Sequence, residues 1–286
     1  MSHKLKDLIN GGNIVVAPGC YDPLSAKIIE KTGFSAAYLG GWAVGAHLAV
    51  SEPLLTLTEM AEISRRITAA TRIPLIVDAD SAFGHLPNVH RTVSEFEQAG
   101  VAAIHLEDQV VPKRVHYHKG EIDMISVDEM LQKLERALQV RRSADFLIIA
   151  RTDAGRNKHE PFTNAIERAN IYAKTGADMI MVFPRTVEEM ELAPKKIDYP
   201  LVYVASEGLG RPIPTPQELQ NLGYKMVIYP LTSVLAAFRS IKGVYESLKN
   251  TGKSGFSQEE TSRLSAEVLE TISIHELIEL ERGIRS

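Results

Sequence analysis

Eight short apolar runs recur along the chain, and they leave it few folds to choose from. They cover residues 13–17, 36–39, 74–77, 102–106, 146–150, 179–183, 200–204 and 225–229. Each is too short for a helix and lacks polar alternation, the pattern of strands buried on both faces in a parallel sheet. Stretches with helical spacing lie between them, including 22–32, 58–70, 89–99, 126–142, 164–174 and 230–249. The first opens on Asp22-Pro23, an N-cap followed by proline at the first helical position. Several end at glycine before the next run, at Thr32-Gly33, Ala99-Gly100, Thr175-Gly176 and Leu222-Gly223, as helices stopped by a left-handed residue do. Eight strands alternating with eight helices predict an α/β fold, a (β/α)8 TIM barrel. A doubly wound open sheet is the rival, but it has fewer units and no Gly-x-Gly-x-x-Gly follows the first strand.

The chain has 286 residues, 44% hydrophobic and 24% charged, ordinary values for a globular protein. A barrel fills about 250 residues as one domain, so residues 1–249 are assigned to it. Residues 250–286 are a C-terminal extension, with a polar linker at 250–257 and one helical stretch at 258–283. That stretch carries Leu264, Val268, Leu269, Ile272, Leu277 and Leu280. Such an apolar face needs cover, from its own barrel or from a neighbouring subunit. No apolar run approaches the ~18 residues of a membrane span. The N-terminal ten residues have lysines but no apolar core, which argues against a secretory signal. Cys20 is the only cysteine, so no internal disulfide forms and a cytoplasmic setting is expected. A net charge of −4 offers nothing to attract nucleic acid.

In a barrel the active site lies at the C-terminal ends of the strands. The third run ends Asp78-Ala79-Asp80, the fourth His105-Leu106-Glu107-Asp108, the fifth Arg151-Thr152-Asp153. Residues two apart on a strand share a face, so three neighbouring strands offer carboxylates and an arginine on one rim. Such acids can simply cap helices or pair with arginines. Crowded together, they call for a cation, and oxygen-only ligands suit Mg²⁺ or Mn²⁺, held by one direct and two water-mediated carboxylates. Asp78, Asp80 and Glu107 are the metal candidates. The stretch Pro112–Gly120 holds Lys113, Arg114, His116, Tyr117, His118 and Lys119, a basic loop suited to close over an anionic substrate.

These residues carry a resemblance. The chain resembles the isocitrate lyase and phosphoenolpyruvate mutase superfamily over nearly its whole length, in the pattern of methylisocitrate lyases, dimethylmalate lyase and carboxyphosphonoenolpyruvate phosphonomutase. The matching stretches run from Pro18 to Ala26, Asp78 to Gly84, His105 to Gln109, Ile149 to Ala154 and Ile228 to Leu231. The resemblance implies a barrel whose eighth helix is exchanged with a partner, in a homotetramer built as a dimer of dimers. It implies Mg²⁺ near Asp78, Asp80 and Glu107, with Asp78 the direct ligand. It also implies Arg151 on the substrate, and Tyr38 with the backbone amides around Leu39, Gly40 and Gly41 at a substrate carboxylate. The shared chemistry is a metal-held enolate of a 2-oxo acid, formed as the bond to the neighbouring carbon breaks.

The departures narrow the reaction. Lyases of this superfamily carry Lys-Lys/Arg-Cys-Gly-His in the lid, where the thiol is the catalytic acid; here the run is Lys113-Arg114-Val115-His116-Tyr117. A glutamate after strand six is replaced within Phe183-Pro184-Arg185, an asparagine on strand seven by Val204, a serine after strand two by Gly40, and Pro-Asp before helix two by Glu52-Pro53. Cleavage of isocitrate or methylisocitrate itself is therefore not expected. The first expectation is an Mg²⁺-dependent carbon–carbon lyase on a small 2-hydroxy or 2-oxo dicarboxylate. His116 or His118 then acts as the acid, with Glu107 and Arg151 completing the catalytic set. The alternatives are an oxaloacetate-like 2-oxo acid decarboxylase, where CO₂ leaves without a proton, and phosphorus–carbon chemistry.

Overall fold

A computed structural model describes residues 4–158 and 160–284. Its strands are β1 (Val15–Cys20), β2 (Ala37–Leu39), β3 (Leu75–Asp78), β4 (Ala103–Glu107), β5 (Leu147–Arg151), β6 (Met179–Met181), β7 (Leu201–Val204) and β8 (Met226–Tyr229). Each pairs in parallel with the next, and β8 pairs with β1, so the sheet closes into an eight-stranded barrel. The expected (β/α)8 barrel is what the chain forms.

The alternation within each strand explains the closure. Ala103 and Leu147, with Ile76 and Ile149, join a cluster inside the barrel, whereas Val77, Ile104, Leu106 and Ile148 pack outward under the helices. The same period of two turns Asp78, His105, Glu107 and Arg151 inward at the upper rim. At the lower end the helix Leu5–Asn10 buries Leu5 and Ile9 against Val15 and Met226 and fills the opening.

The connecting helices start where their caps dictate. Asp22 with Ser25, Thr56 with Glu59 and Thr215 with Glu218 form reciprocal capping boxes. The stop glycines Gly33, Gly100, Gly176 and Gly223 have φ of +95°, +75°, +88° and +105°, the left-handed region that glycine enters without strain.

Beyond β8 the helix Thr232–Thr251 has no buried residue. Leu235, Phe238, Ile241, Tyr245 and Leu248 are exposed along one stripe of it. The stretch expected as one helix over 258–283 is two, Gln258–Thr271 and Ile274–Ile284, broken at Ser273 with φ +59°. Neither glycine nor proline marks that break. The helix Gln258–Thr271 folds back toward Pro23–Lys31, where Lys31 meets Glu270 at 3.0 Å. Among the described residues no helix is long and apolar enough to cross a membrane.

Candidate active site

The inward residues at the rim meet in one charged cluster. Arg151 reaches Asp153 through Nε at 2.9 Å and Nη2 at 3.0 Å, Glu107 at 2.8 Å and Asp78 at 3.7 Å. Burial opposes its charge, but Asp153, Glu107 and Asp78 hold its pKa well above the ordinary value. Burial likewise opposes ionisation of Asp78, yet His105, Arg151 and Lys113 outweigh it and keep the carboxyl well below the usual range. Glu107 goes the other way: burial, with Asp153 and Asp80, pushes it up to about 8 against the pull of Arg151 and Lys113. Burial holds His105 down to about 4. Its Nε2 lies 2.9 Å from the Tyr38 hydroxyl, and its Nδ1 has no hydrogen-bond partner.

Asp80 joins the cluster by a turn rather than by strand geometry. β3 ends at Asp78, and Asp80, Ala82 and Phe83 follow with φ of +51°, +64° and +53°. Three such non-glycine residues within four positions are strained. The loop is held by the buried Lys133, whose ammonium donates to the Ser81 carbonyl at 3.1 Å, and by Thr92, whose hydroxyl donates to the Ala82 carbonyl at 3.0 Å. Asp108, buried outside the barrel wall, braces β5. It accepts from the Asp153 amide, the Thr152 hydroxyl, Arg168 and Tyr172.

The lid closes on this rim. Lys113 turns inward, and its ammonium lies 2.8 Å from Glu52, 2.9 Å from Asp80 and 2.8 Å from Glu107. Tyr117, also buried, donates its hydroxyl to Glu52. Val115–Lys119 form one 3-10 helix, in which residues two apart point about 240° from each other. His118 therefore faces the cavity, its ring 4.1 Å from that of Tyr117. His116 faces away and meets Asp123 at 3.1 Å.

Beneath the lid is a cavity of about 330 Å³. One side is formed by Tyr38, Glu52, Asp78 and Arg151, with Gly40, Gly41 and Trp42. The opposite side is apolar, formed by Met181, Phe183, Val204 and Ile228, and is topped by Arg156 and Arg211. A side chain at Gly41 would crowd the site. A Cβ there would sit 3.1 Å from Glu52 Cγ and 3.4 Å from Asp78 Oδ2.

The structure thus brings together Tyr38, Gly40, Gly41, Asp78, Asp80, Glu107, Lys113, Arg151 and His118. It does not bring in Arg114, which is exposed, or His116. Leu39 points its side chain into the outer core, and the Gly41 amide donates to Asp78 at 3.3 Å. Lys113 differs from its expected place on a loop over the substrate: its charge is already shared among three carboxylates. The sequence reading missed Arg156, Arg211 and the inward turn of Tyr117.

Among the described residues no three His, Cys, Asp or Glu side chains stand close enough to hold a metal unaided. The donor set still fits a hard divalent ion that keeps its own waters. Asp78, Asp80 and Glu107 offer oxygens only. Both Glu107 oxygens are buried without an aligned hydrogen bond, although Lys113 and Arg151 approach them.

The family model for phosphoenolpyruvate phosphomutase matches residues 5–249. The chain is 40% identical over 252 residues to a 2-methylisocitrate lyase of Aeropyrum pernix, covering 87% of this chain and 80% of that protein. It is 39% identical over 250 residues to a 2,3-dimethylmalate lyase of Eubacterium barkeri, covering 86% of each. A solved structure of oxaloacetate acetylhydrolase with 3,3-difluorooxalacetate superposes with a TM-score of 0.90 at 28% identity, covering 100% of this chain and 97% of that one.

Proposed function

The chain belongs to the phosphoenolpyruvate phosphomutase family, and from that premise we propose that it is a carbon–carbon lyase for a small 2-hydroxy diacid, assisted by Mg²⁺ or Mn²⁺. The observation that carries this reading is the convergence of Asp78, Asp80, Glu107 and Arg151 in one charged cluster, of which Asp78 and Arg151 line a cavity that is otherwise largely apolar on the side of Met181, Phe183, Val204 and Ile228. Asp78, with Asp80 and Glu107 through water, would hold the ion. When bound, it polarises the 2-oxygen and the adjoining carboxylate as a Lewis acid.

The chain's own residues supply the remaining steps. Glu52, a carboxylate on the cavity wall, takes the proton of the 2-hydroxyl. The oxygen pair closes to a carbonyl, the C2–C3 bond breaks, and its electrons pass into the carboxylate on C3. C3 then takes a proton from His118, the lid histidine that faces the cavity. Arg151 steadies the oxygen charge at the near end. Tyr117 and Lys113, both bonded to Glu52, hold the lid shut and exclude water.

Decarboxylation of an oxaloacetate-like acid is the second reading. Val115 favours it: this residue stands where related lyases carry their acid thiol, and it is 58% exposed on the lid.

The test is to incubate the protein with 2,3-dimethylmalate, 2-methylisocitrate and oxaloacetate in the presence of Mg²⁺, and to follow pyruvate. The lyase reading expects pyruvate from a hydroxy diacid. Release from oxaloacetate alone would establish the second reading. Chelator should abolish turnover and added Mg²⁺ or Mn²⁺ restore it; full turnover in excess chelator removes the metal from the mechanism.

A further inference from the structure

Three guanidinium groups surround the ring of Phe183. Arg151 lies 4.9 Å from its centroid, Arg211 5.0 Å and Arg156 5.4 Å. Two of the three are committed. Arg151 is bound by Asp153 and Glu107, and Arg156 meets Asp153 at 3.0 Å. Among the described residues no carboxylate pairs with Arg211. It stands on the loop after β7, over the ring, and helps to line the cavity. Burial, with Arg156 beside it, lowers its pKa to about 10. An arginine kept in that position without a counter-charge is costly, and an anion in the cavity would offset the cost. A stacked guanidinium keeps its N–H fork free for two-point binding of a carboxylate.

The position suits the far end of a substrate. The near end of the cavity is set by Asp78, Gly41 and Arg151. Val204 and Ile228 lie on the wall shared with Phe183 and Arg211, and they give polar groups no alternative partner. We propose that Arg211, supported by Arg156, is the seat of a second carboxylate, so that the site selects four-carbon and longer diacids over monoacids with the same head group. This rests on the reading above and adds to it the residue that reads the far carboxylate.

Binding tests this without turnover. Affinities of the Mg²⁺-supplied full chain are measured by calorimetry for malate, for lactate and for oxalate. Lactate has the same 2-hydroxy acid head as malate without the far carboxylate, and oxalate is a two-carbon dianion without the carbons that carry a far carboxylate away from the head. The wild type should bind malate at least tenfold more tightly than lactate. Arg211→Gln should remove that preference by weakening malate tenfold or more, while lactate and oxalate change less than twofold. Arg211→Lys should restore part of the preference. A wild type that does not prefer malate, or an Arg211→Gln protein that keeps the preference, overturns the proposal. Loss of oxalate binding alone in the wild type would count against the near-end reading and leave the Arg211 assignment standing, provided the malate preference persists and depends on Arg211.

Discussion

Two lid histidines two positions apart have opposite surroundings, and this gives the sharpest test at the scale of single residues. His118 faces the cavity and His116 meets Asp123 outside it. His118→Gln should lower kcat by ~10²–10⁴-fold, the range for losing a general acid, whereas His116→Gln should change it only a few-fold. Steady-state kinetics on the best substrate decide; equal effects would remove His118 from the mechanism. The pair also shows what the residues alone revealed. A basic lid with two histidines was legible, but which of them turns inward depends on a 3-10 turn that no periodicity announces. Arg211 and Arg156 were missed for the same reason. Arg211 comes from a loop and Arg156 from the three-residue 3-10 turn Ala154–Arg156, where spacing fixes no direction. Asp80 was placed correctly by an argument that does not apply to it, since a left-handed turn aims it and not the strand.

His105 supplies a second residue-scale prediction. Its folded pKa is about 4 against 6.5 for the unperturbed group. Between those values the unfolded chain takes up a proton that the folded chain refuses, so stability is present above about 6.5 and is lost as pH falls toward 4. Urea midpoints at pH 7 and pH 4.5 should fall more steeply for the wild type than for His105→Gln. Parallel slopes would show that His105 is not the group responsible.

Among the elements, the strands were legible to within a residue or two at most ends because both their faces are buried, which leaves short unbroken apolar runs. The helices followed from capping signals and stop glycines. The loop after β3 was not legible. Its three positive-φ residues, two of them non-polar, break local rules and persist because Lys133 and Thr92 hold the carbonyls of Ser81 and Ala82. Lys133→Met keeps the apolar stem and leaves the Ser81 carbonyl buried without a partner. We expect a loss of about 1–3 kcal/mol, seen as a lower thermal midpoint. Because Asp80 sits in the loop, kcat should fall as well. Unchanged stability and unchanged turnover together would mean the strain is held elsewhere.

At the scale of the whole molecule, the apolar stripe on Thr232–Thr251, from Leu235 to Leu248, is left exposed by the described residues. Further exposed apolar residues, among them Leu269, Leu277 and Leu280, lie on the last two helices. Apolar surface of this extent marks an interface. We expect a second copy of the chain to cover it, giving a dimer at least and a homotetramer at full assembly, with C-terminal helices exchanged. Light scattering at micromolar concentration checks the mass, and a monomer would refute the assembly. Phe238→Glu should shift the equilibrium toward smaller species without unfolding the barrel.

Among the described residues Leu5 and Ile9 close the barrel below and packed side chains fill it above them, which leaves the lid side as the way into the cavity. Traffic through one door is last in, first out. On the proposed assignment, a fragment held at Arg211 is expected to depart before one held at Asp78 and Arg151. The 2-oxo acid of the proposed reaction would then leave an otherwise empty enzyme and compete directly with incoming substrate. The outer fragment meets an enzyme already carrying the other product, and its inhibition should be noncompetitive. A closed floor would thereby set the order of the last two steps of the proposed cycle.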